Sequence, residues 1–141
     1  MRYKYHMSDI NAAIGLAQLK KLDQLNEKRK KIAQKYTESF KAVEWLEIPN
    51  EKLYAESSWH LYQVKLPTQE MRDSLINHLK EQDISPGVHY MPIHMHPCYR
   101  SVRANVPIAS EIWKRILTLP VYPDMQEAET EKVIDAVKQH F

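Results

Sequence analysis

From Ser8 to about Lys41 the chain carries apolar residues at helical spacing over a longer run than a domain of this size is wide. Ile10, Ile14, Leu16, Leu19, Leu22 and Leu25 recur first. Ile32, Tyr36 and Phe40 resume the pattern after a polar stretch from Asn26 to Lys31. Ser8 is a favourable N-cap, and no proline interrupts residues 8–48. The spacing predicts one long helix over 8–41, with any bend in the polar middle. At about 1.5 Å per residue that helix is roughly 50 Å long, against about 30 Å for the diameter of a small domain. The rest of the chain is too small to cover it, so it needs a second domain or a second subunit to lie against.

Beyond the helix the pattern alternates. Trp45–Ile48 reads as a short strand ended by Pro49, and Ser58–Leu66 as the clearest strand, with β-branched and aromatic residues alternating with polar ones. Pro67-Thr68 opens a helix with Met71, Leu75, Ile76 and Leu79 inside and Arg72, Asp73 and Lys80 on its wet face. Ile84–Tyr90 reads as a strand, and residues 91–107 as an irregular stretch with three prolines. Pro107 suits the first turn of a helix containing Ile112, Trp113, Ile116 and Leu117. Leu119–Pro123 is extended, because residues before proline are pushed out of the helical region. Asp124 and Glu127 fit a capping box for a last helix with Val133, Ile134 and Val137 inside. The expected class is α+β: a long N-terminal helix, then a small, mostly antiparallel sheet with helices packed on one face. One domain is expected over 1–141, with residues 1–42 as an interdomain-type segment and helix and 43–141 as the small domain.

Composition removes several function classes. Twenty basic and eighteen acidic residues are scattered evenly, so no electrostatic case exists for nucleic acid or a membrane surface. No apolar run approaches the roughly 20 residues of a transmembrane helix, and the N-terminus lacks the apolar stretch of a signal peptide. The single cysteine, Cys98, allows no internal disulfide, and a cytoplasmic setting is expected. Only two glycines are present, Gly15 and Gly87, where about ten would be average. A glycine-rich phosphate cradle is therefore not built into this chain.

The remaining candidates for chemistry are histidines and tyrosines. His89, His94 and His96, with Cys98 just beyond, are zinc-ligand types, but their spacing fits no standard zinc pattern, so no metal is expected. Cys98 and His96 are separated by Pro97 and are poorly placed as nucleophile and base. His60 reads as a hydrogen-bonded structural residue, and His78 and His140 as plain surface. Tyr3, Tyr5, Tyr90, Tyr99 and Tyr122 lie near element ends, where a tyrosine can meet a ligand with ring and hydroxyl. For Tyr62 and Tyr122 a half-buried core position is the simpler reading.

Four blocks, in order, resemble the DegT–StrS aminotransferases. They are Tyr3-Lys4-Tyr5-His6-Met7-Ser8-Asp9 running on to Ala12-Ala13-Ile14-Gly15 and Gln18-Leu19; Trp59-His60-Leu61-Tyr62; Gly87-Val88-His89-Tyr90-Met91-Pro92-Ile93-His94 with Pro97 and Tyr99-Arg100; and Leu119-Pro120-Val121-Tyr122-Pro123. The resemblance implies a pyridoxal-phosphate (PLP) enzyme of aminotransferase fold type I, moving an amino group to a keto group on a nucleotide-linked sugar. It implies a homodimer with shared active sites. The part matched is the last third: the interdomain helix and the small C-terminal domain. By the same resemblance, Lys4, Tyr5 and His6 reach the cofactor phosphate of a partner subunit, and His89, Tyr90, His94 and Tyr99 line the side of the nucleotide sugar. The chain departs from the family pattern at Arg2, usually glycine, and at Lys4 and His6, often asparagine and arginine.

The resemblance also implies what is missing. The Schiff-base lysine and the carboxylate facing the pyridinium nitrogen belong to the large domain upstream, and no lysine here sits in a comparable loop. No catalytic residue is therefore assigned within the chain, and no PLP is expected on it alone. Two readings follow. The chain is part of an aminotransferase, as a truncated gene product or one half of a split enzyme whose partner is a PLP-binding large-domain chain. Alternatively it is a free-standing, non-catalytic module that dimerises or binds a nucleotide sugar or a protein.

Overall fold

The computed structural model describes residues 5–99, 101 and 104–140. Within them five α-helices accompany a two-stranded antiparallel sheet, the α+β class expected. The sheet is smaller than the sequence suggested. No helix among these residues is long and apolar enough to cross a membrane.

The long helix comes in two pieces, α1 (Asp9–Leu19) and α2 (Leu22–Phe40). Ser8 caps α1, its Oγ accepting the Asn11 N–H at 3.3 Å. The interruption falls at Lys20–Lys21, not in the polar stretch 26–31. There the Lys21 N–H donates to the Gln18 carbonyl at 2.9 Å, a three-residue step. Leu16, Leu19, Leu22 and Leu25 are themselves three apart, and side chains three apart eclipse only in such a tighter turn. The two pieces differ sharply in burial. α1 buries nothing, and Ile10, Ile14, Leu16 and Leu19 are all more than half exposed. α2 enters the core from Ile32 onward, with Ala33, Tyr36 and Phe40.

The sheet pairs β1 (Tyr62–Lys65) with β2 (Ile116–Leu119); Tyr62 lies opposite Leu119, Gln63 opposite Thr118, Val64 opposite Leu117 and Lys65 opposite Ile116. Three expected strands are shortened. Ser58–Leu66 begins only at Tyr62, because Trp59 adopts a left-handed φ of 47° and swings its ring into the core. Trp45–Ile48 contributes a single bridge, Glu47 to Lys65, before Pro49. Ile84–Tyr90 likewise contributes one bridge, Gly87 to Thr118; Pro86 has no N–H to donate. Ile116 and Leu117, expected in a helix, form β2 instead. All four β2 residues are buried, so the alternation that distinguishes a strand from a buried helix is absent.

Tyr62, Val64, Leu117 and Leu119 face one core with residues from α2, α3 (Gln69–Glu81) and α5 (Glu127–Lys138). Tyr36 sits between Phe40 and Tyr62, ring centroids 5.7 and 5.1 Å away, and Trp59 stacks on Tyr62 at 5.8 Å. The Tyr36 hydroxyl donates to the Pro120 carbonyl at 2.9 Å, and burial pushes its phenol well above the ordinary tyrosine range. Tyr62 is fully buried, whereas Tyr122 is 43% exposed and His60 is exposed. Val133, Ile134 and Val137 face inward as expected.

Three smaller expectations are corrected. The capping box belongs to Gln126 and Glu129, whose carboxylate accepts the Gln126 N–H at 2.7 Å. Asp124 instead pairs with Lys28 of α2 at 3.3 Å. Arg72 is buried, not on a wet face. Its guanidinium reaches Asp73 at 2.6 Å and the Trp113 carbonyl at 3.4 Å, in the last turn of α4 (Pro107–Arg115), where unpaired carbonyls attract a cation. His78 and His140 are not isolated on the surface: their rings lie 4.6 Å apart, His78 Nε2 is 3.1 Å from the Ala136 carbonyl, and His140 Nε2 is 3.0 Å from Ser74 Oγ.

The two pieces of the long helix should respond oppositely to truncation. Phe40→Ala should cost about 3–5 kcal/mol, the usual cost of emptying a buried phenyl site. At concentrations low enough to keep the chain monomeric, Ile14→Ala should change stability by no more than about 0.5 kcal/mol. Urea titrations of the two variants beside the wild type measure both.

Candidate functional site

The second of the two glycines builds the site. Gly87 exchanges both backbone hydrogen bonds with Thr118, at 2.9 and 2.7 Å. With Gln63 opposite Thr118 in β1, the three residues form one row across the sheet. Directly opposed residues of an antiparallel pair project on the same face. Here it is the face opposite Tyr62, Val64, Leu117 and Leu119.

His89 folds back over this row. A Cβ at Gly87 would lie 3.0 Å from His89 Nδ1 and 3.3 Å from Nε2, and would collide with Cε1. Only glycine leaves that room. The Gln63 side-chain amide donates to the His89 carbonyl at 2.6 Å. The His89 ring meets the Tyr90 ring edge-on at 4.7 Å, and the peptide between them is cis. His89 Nδ1 and Thr118 Oγ1 are both buried without a hydrogen-bond partner. A groove of about 470 Å³ opens on the same side of the sheet, bordered by Gln63, Lys65, Ile112 and Ile116.

The loop beyond is held in two 3₁₀ turns, Ile93–Met95 and Pro97–Tyr99. His94 Nε2 lies 3.0 Å from Ser110 Oγ, tying the loop to α4. His96 Nε2 lies 3.4 Å from the Met91 carbonyl, and Cys98 is exposed. Among the described residues no three His, Cys, Asp or Glu side chains converge as a metal-binding group. Tyr90 and Ile93 in this segment, and Ile108 in α4, are each largely exposed.

The described lysines lie at the surface or are half-buried. A Schiff-base lysine must lose its proton near neutral pH, which burial away from anions favours. Among the described residues no lysine is buried. Several are paired with carboxylates, and Lys30 and Lys35 are pushed above the ordinary lysine range, chiefly by hydrogen bonds to Glu56 and to Glu131 and Glu127.

Residues 1–138 match the sequence profile of the DegT/DnrJ/EryC1/StrS aminotransferase family. The chain belongs to that family. MJ1066 of Methanocaldococcus jannaschii is 37% identical over 97% of the chain, and the spore coat polysaccharide biosynthesis protein SpsC of Bacillus subtilis 35% over 96%. Each alignment spans only 37% of the relative's own length. Among solved structures, Streptococcus pneumoniae Spr1654 in its PLP form superposes with a TM-score of 0.87 at 29% identity, over 96% of this chain and 36% of that one. A PMP form of the same protein superposes equally well.

Within this family member the suggested site residues are distributed unevenly. His89 and Tyr90 touch each other, His94 is anchored to α4, and Tyr99 ends the second 3₁₀ turn, 46% exposed. Tyr5 and His6 precede α1 and are exposed. Lys4 lies outside the described residues. Gln63 and Ser110, which bond to His89 and His94, and Thr118, in the row beneath His89, were not picked out from sequence. The scarcity of glycine was the available signal: one of only two stands two residues before His89.

Gly87→Ala should leave the fold intact but displace the His89 ring, since the obstacle is a side chain that can turn away. Nuclear magnetic resonance should show a circular dichroism-normal protein with large shift changes at His89 and Tyr90 and small ones in the α2 core.

Proposed function

We propose that these 141 residues serve as the C-terminal part of a PLP-dependent sugar aminotransferase. The match over 1–138 carries this reading, together with the chain's span of little more than a third of its relatives. The whole enzyme transfers an amino group to a keto group on a nucleotide-linked sugar, and PLP supplies the amino-group chemistry when bound to the large domain. This chain's residues orient substrate: His89, Tyr90, His94 and Tyr99 form the nucleotide-sugar side, and Lys4, Tyr5 and His6 extend toward the cofactor phosphate of a partner subunit. Residues 1–42 act as the interdomain segment and 43–141 as the small domain.

The exposed stripe of α1 supports an obligatory neighbour. Fully burying an aliphatic side chain is worth roughly 1.5–3 kcal/mol. Ile10, Ile14 and Leu19 of α1 and Leu22 at the start of α2 are partly exposed, and together forgo roughly 4–7 kcal/mol in water, against a whole-domain stability of about 5–15 kcal/mol. In the complete enzyme a large domain and a second subunit cover them. In the isolated chain the same stripe pairs two copies symmetrically.

Fusing the matching large domain of SpsC ahead of this chain tests the reading. The fusion should bind PLP and transaminate a nucleotide-linked keto sugar; binding of the sugar without any turnover would favour a non-catalytic module. The unfused chain, incubated with PLP and trapped with borohydride, should show only scattered labelling and no single stoichiometric lysine on peptide mapping. In sedimentation equilibrium at micromolar concentration the wild type should associate and Ile14→Glu should sediment as a monomer.

A further inference from the structure

Two buried polar atoms lack partners on one face of the sheet: Thr118 Oγ1, and Nδ1 of His89, whose ring folds back over Gly87, the residue opposite Thr118. Thr118 is 5% exposed, and its Oγ1 makes no hydrogen bond. Gly87 stands directly across from it, and the His89 ring occupies the space where a Gly87 side chain would be. Opposed side chains in such a pair start from Cβ positions about 4.5–5.5 Å apart. The imidazole therefore lies in the position from which a residue opposite Thr118 would meet its hydroxyl. Of the two ring nitrogens, only Nδ1 is buried without a partner.

We propose that Thr118 is a positioning residue for His89: a small turn of its side chain lets the hydroxyl donate a hydrogen bond to Nδ1, which holds the ring proton on Nε2. The direction follows from counting donors. A threonine hydroxyl has one proton and two lone pairs, and a neutral imidazole has one donor nitrogen and one acceptor nitrogen. If Nδ1 carried the proton and gave it to Oγ1, the hydroxyl proton would stay buried and unused, and a buried donor left without an acceptor is costly. If the hydroxyl donates to Nδ1, both groups are satisfied and only spare lone pairs remain.

Gln63 completes the arrangement. Its amide holds the His89 carbonyl at 2.6 Å from the other side of Thr118 in the row, so backbone and ring are fixed separately. His89 then offers a preset N–H donor at Nε2. Resting on the reading that this loop meets a nucleotide-linked sugar, that donor suits an oxygen acceptor, of which a diphosphate has many. It suits a hydroxyl proton poorly.

Long-range proton–nitrogen correlation spectra of the nitrogen-15-labelled chain test the proposal without ligand. In the wild type, Nδ1 of His89 should resonate as an unprotonated nitrogen moved upfield by an accepted hydrogen bond. Thr118→Val keeps the shape and removes the hydroxyl; Nδ1 should move downfield, and Thr118→Ser should bring it back. A wild-type His89 with its proton on Nδ1, or an Nδ1 resonance indifferent to Thr118→Val in a variant whose amide spectrum stays native, would overturn the assignment. Should Thr118→Val fail to fold, the wild-type tautomer alone still decides. Because no nucleotide sugar is present, this result stands or falls apart from the substrate reading, which the fusion enzyme tests.

Discussion

β2 is the strand on which both the core and the site depend. It is four residues long and buried on both faces. Leu117 and Leu119 point into the core, while Ile116 and Thr118 point to the opposite face. On one edge β2 pairs with β1; on the other it takes only Gly87. A one-residue slip in its register would exchange the two faces, placing a hydroxyl in the core and leucines at the site. The strand that closes the core therefore also aligns Gln63, Thr118 and Gly87 beneath His89.

The helix ahead of the sheet divides its labour along its length. From Lys28 onward α2 is held by aromatic packing to Tyr62 and by Lys28 and Lys35 reaching Asp124, Glu127 and Glu131 near the start of α5. Exposed ion pairs of this kind are worth little individually, about 0–1 kcal/mol, so the rings and Ile32 carry the attachment. Nothing comparable holds α1. The same run of apolar residues thus serves an internal core at one end and an external surface at the other.

What was legible in the sequence follows the same division. The long apolar repeat was readable because its spacing persists, and Ser8 announced its start. The break at Lys20–Lys21 is a single tightened turn without proline or glycine, which leaves no compositional trace. β2 read as helix because Ile112, Trp113, Ile116 and Leu117 fit a helical face, and a strand buried on both sides has no alternation to contradict it. His89 and His94 were found through the family resemblance, whereas Thr118 and Gln63 depend on register between segments distant in sequence. Arg72 looked like a surface residue, since its partner, the Trp113 carbonyl, is a backbone group that no side-chain pattern reveals.

The contact between His78 and His140 gives the end of the chain an acid-sensitive latch. It joins α3 to the last turn of α5 and to His140 just beyond it through two imidazoles, with Ser74 and the Ala136 carbonyl as their hydrogen-bond partners. Burial, and then the neighbouring His78, hold His140 below the ordinary histidine range, with Glu81 opposing them weakly. A depressed folded-state pKa means that the unfolded chain takes up the proton more readily, so the latch contributes above the ordinary histidine pKa of about 6.5 and is lost as the pH falls below it. Acid would therefore peel the chain from its C-terminal end, while Val137 and Val133, about one and two turns back along α5, stay seated in the core.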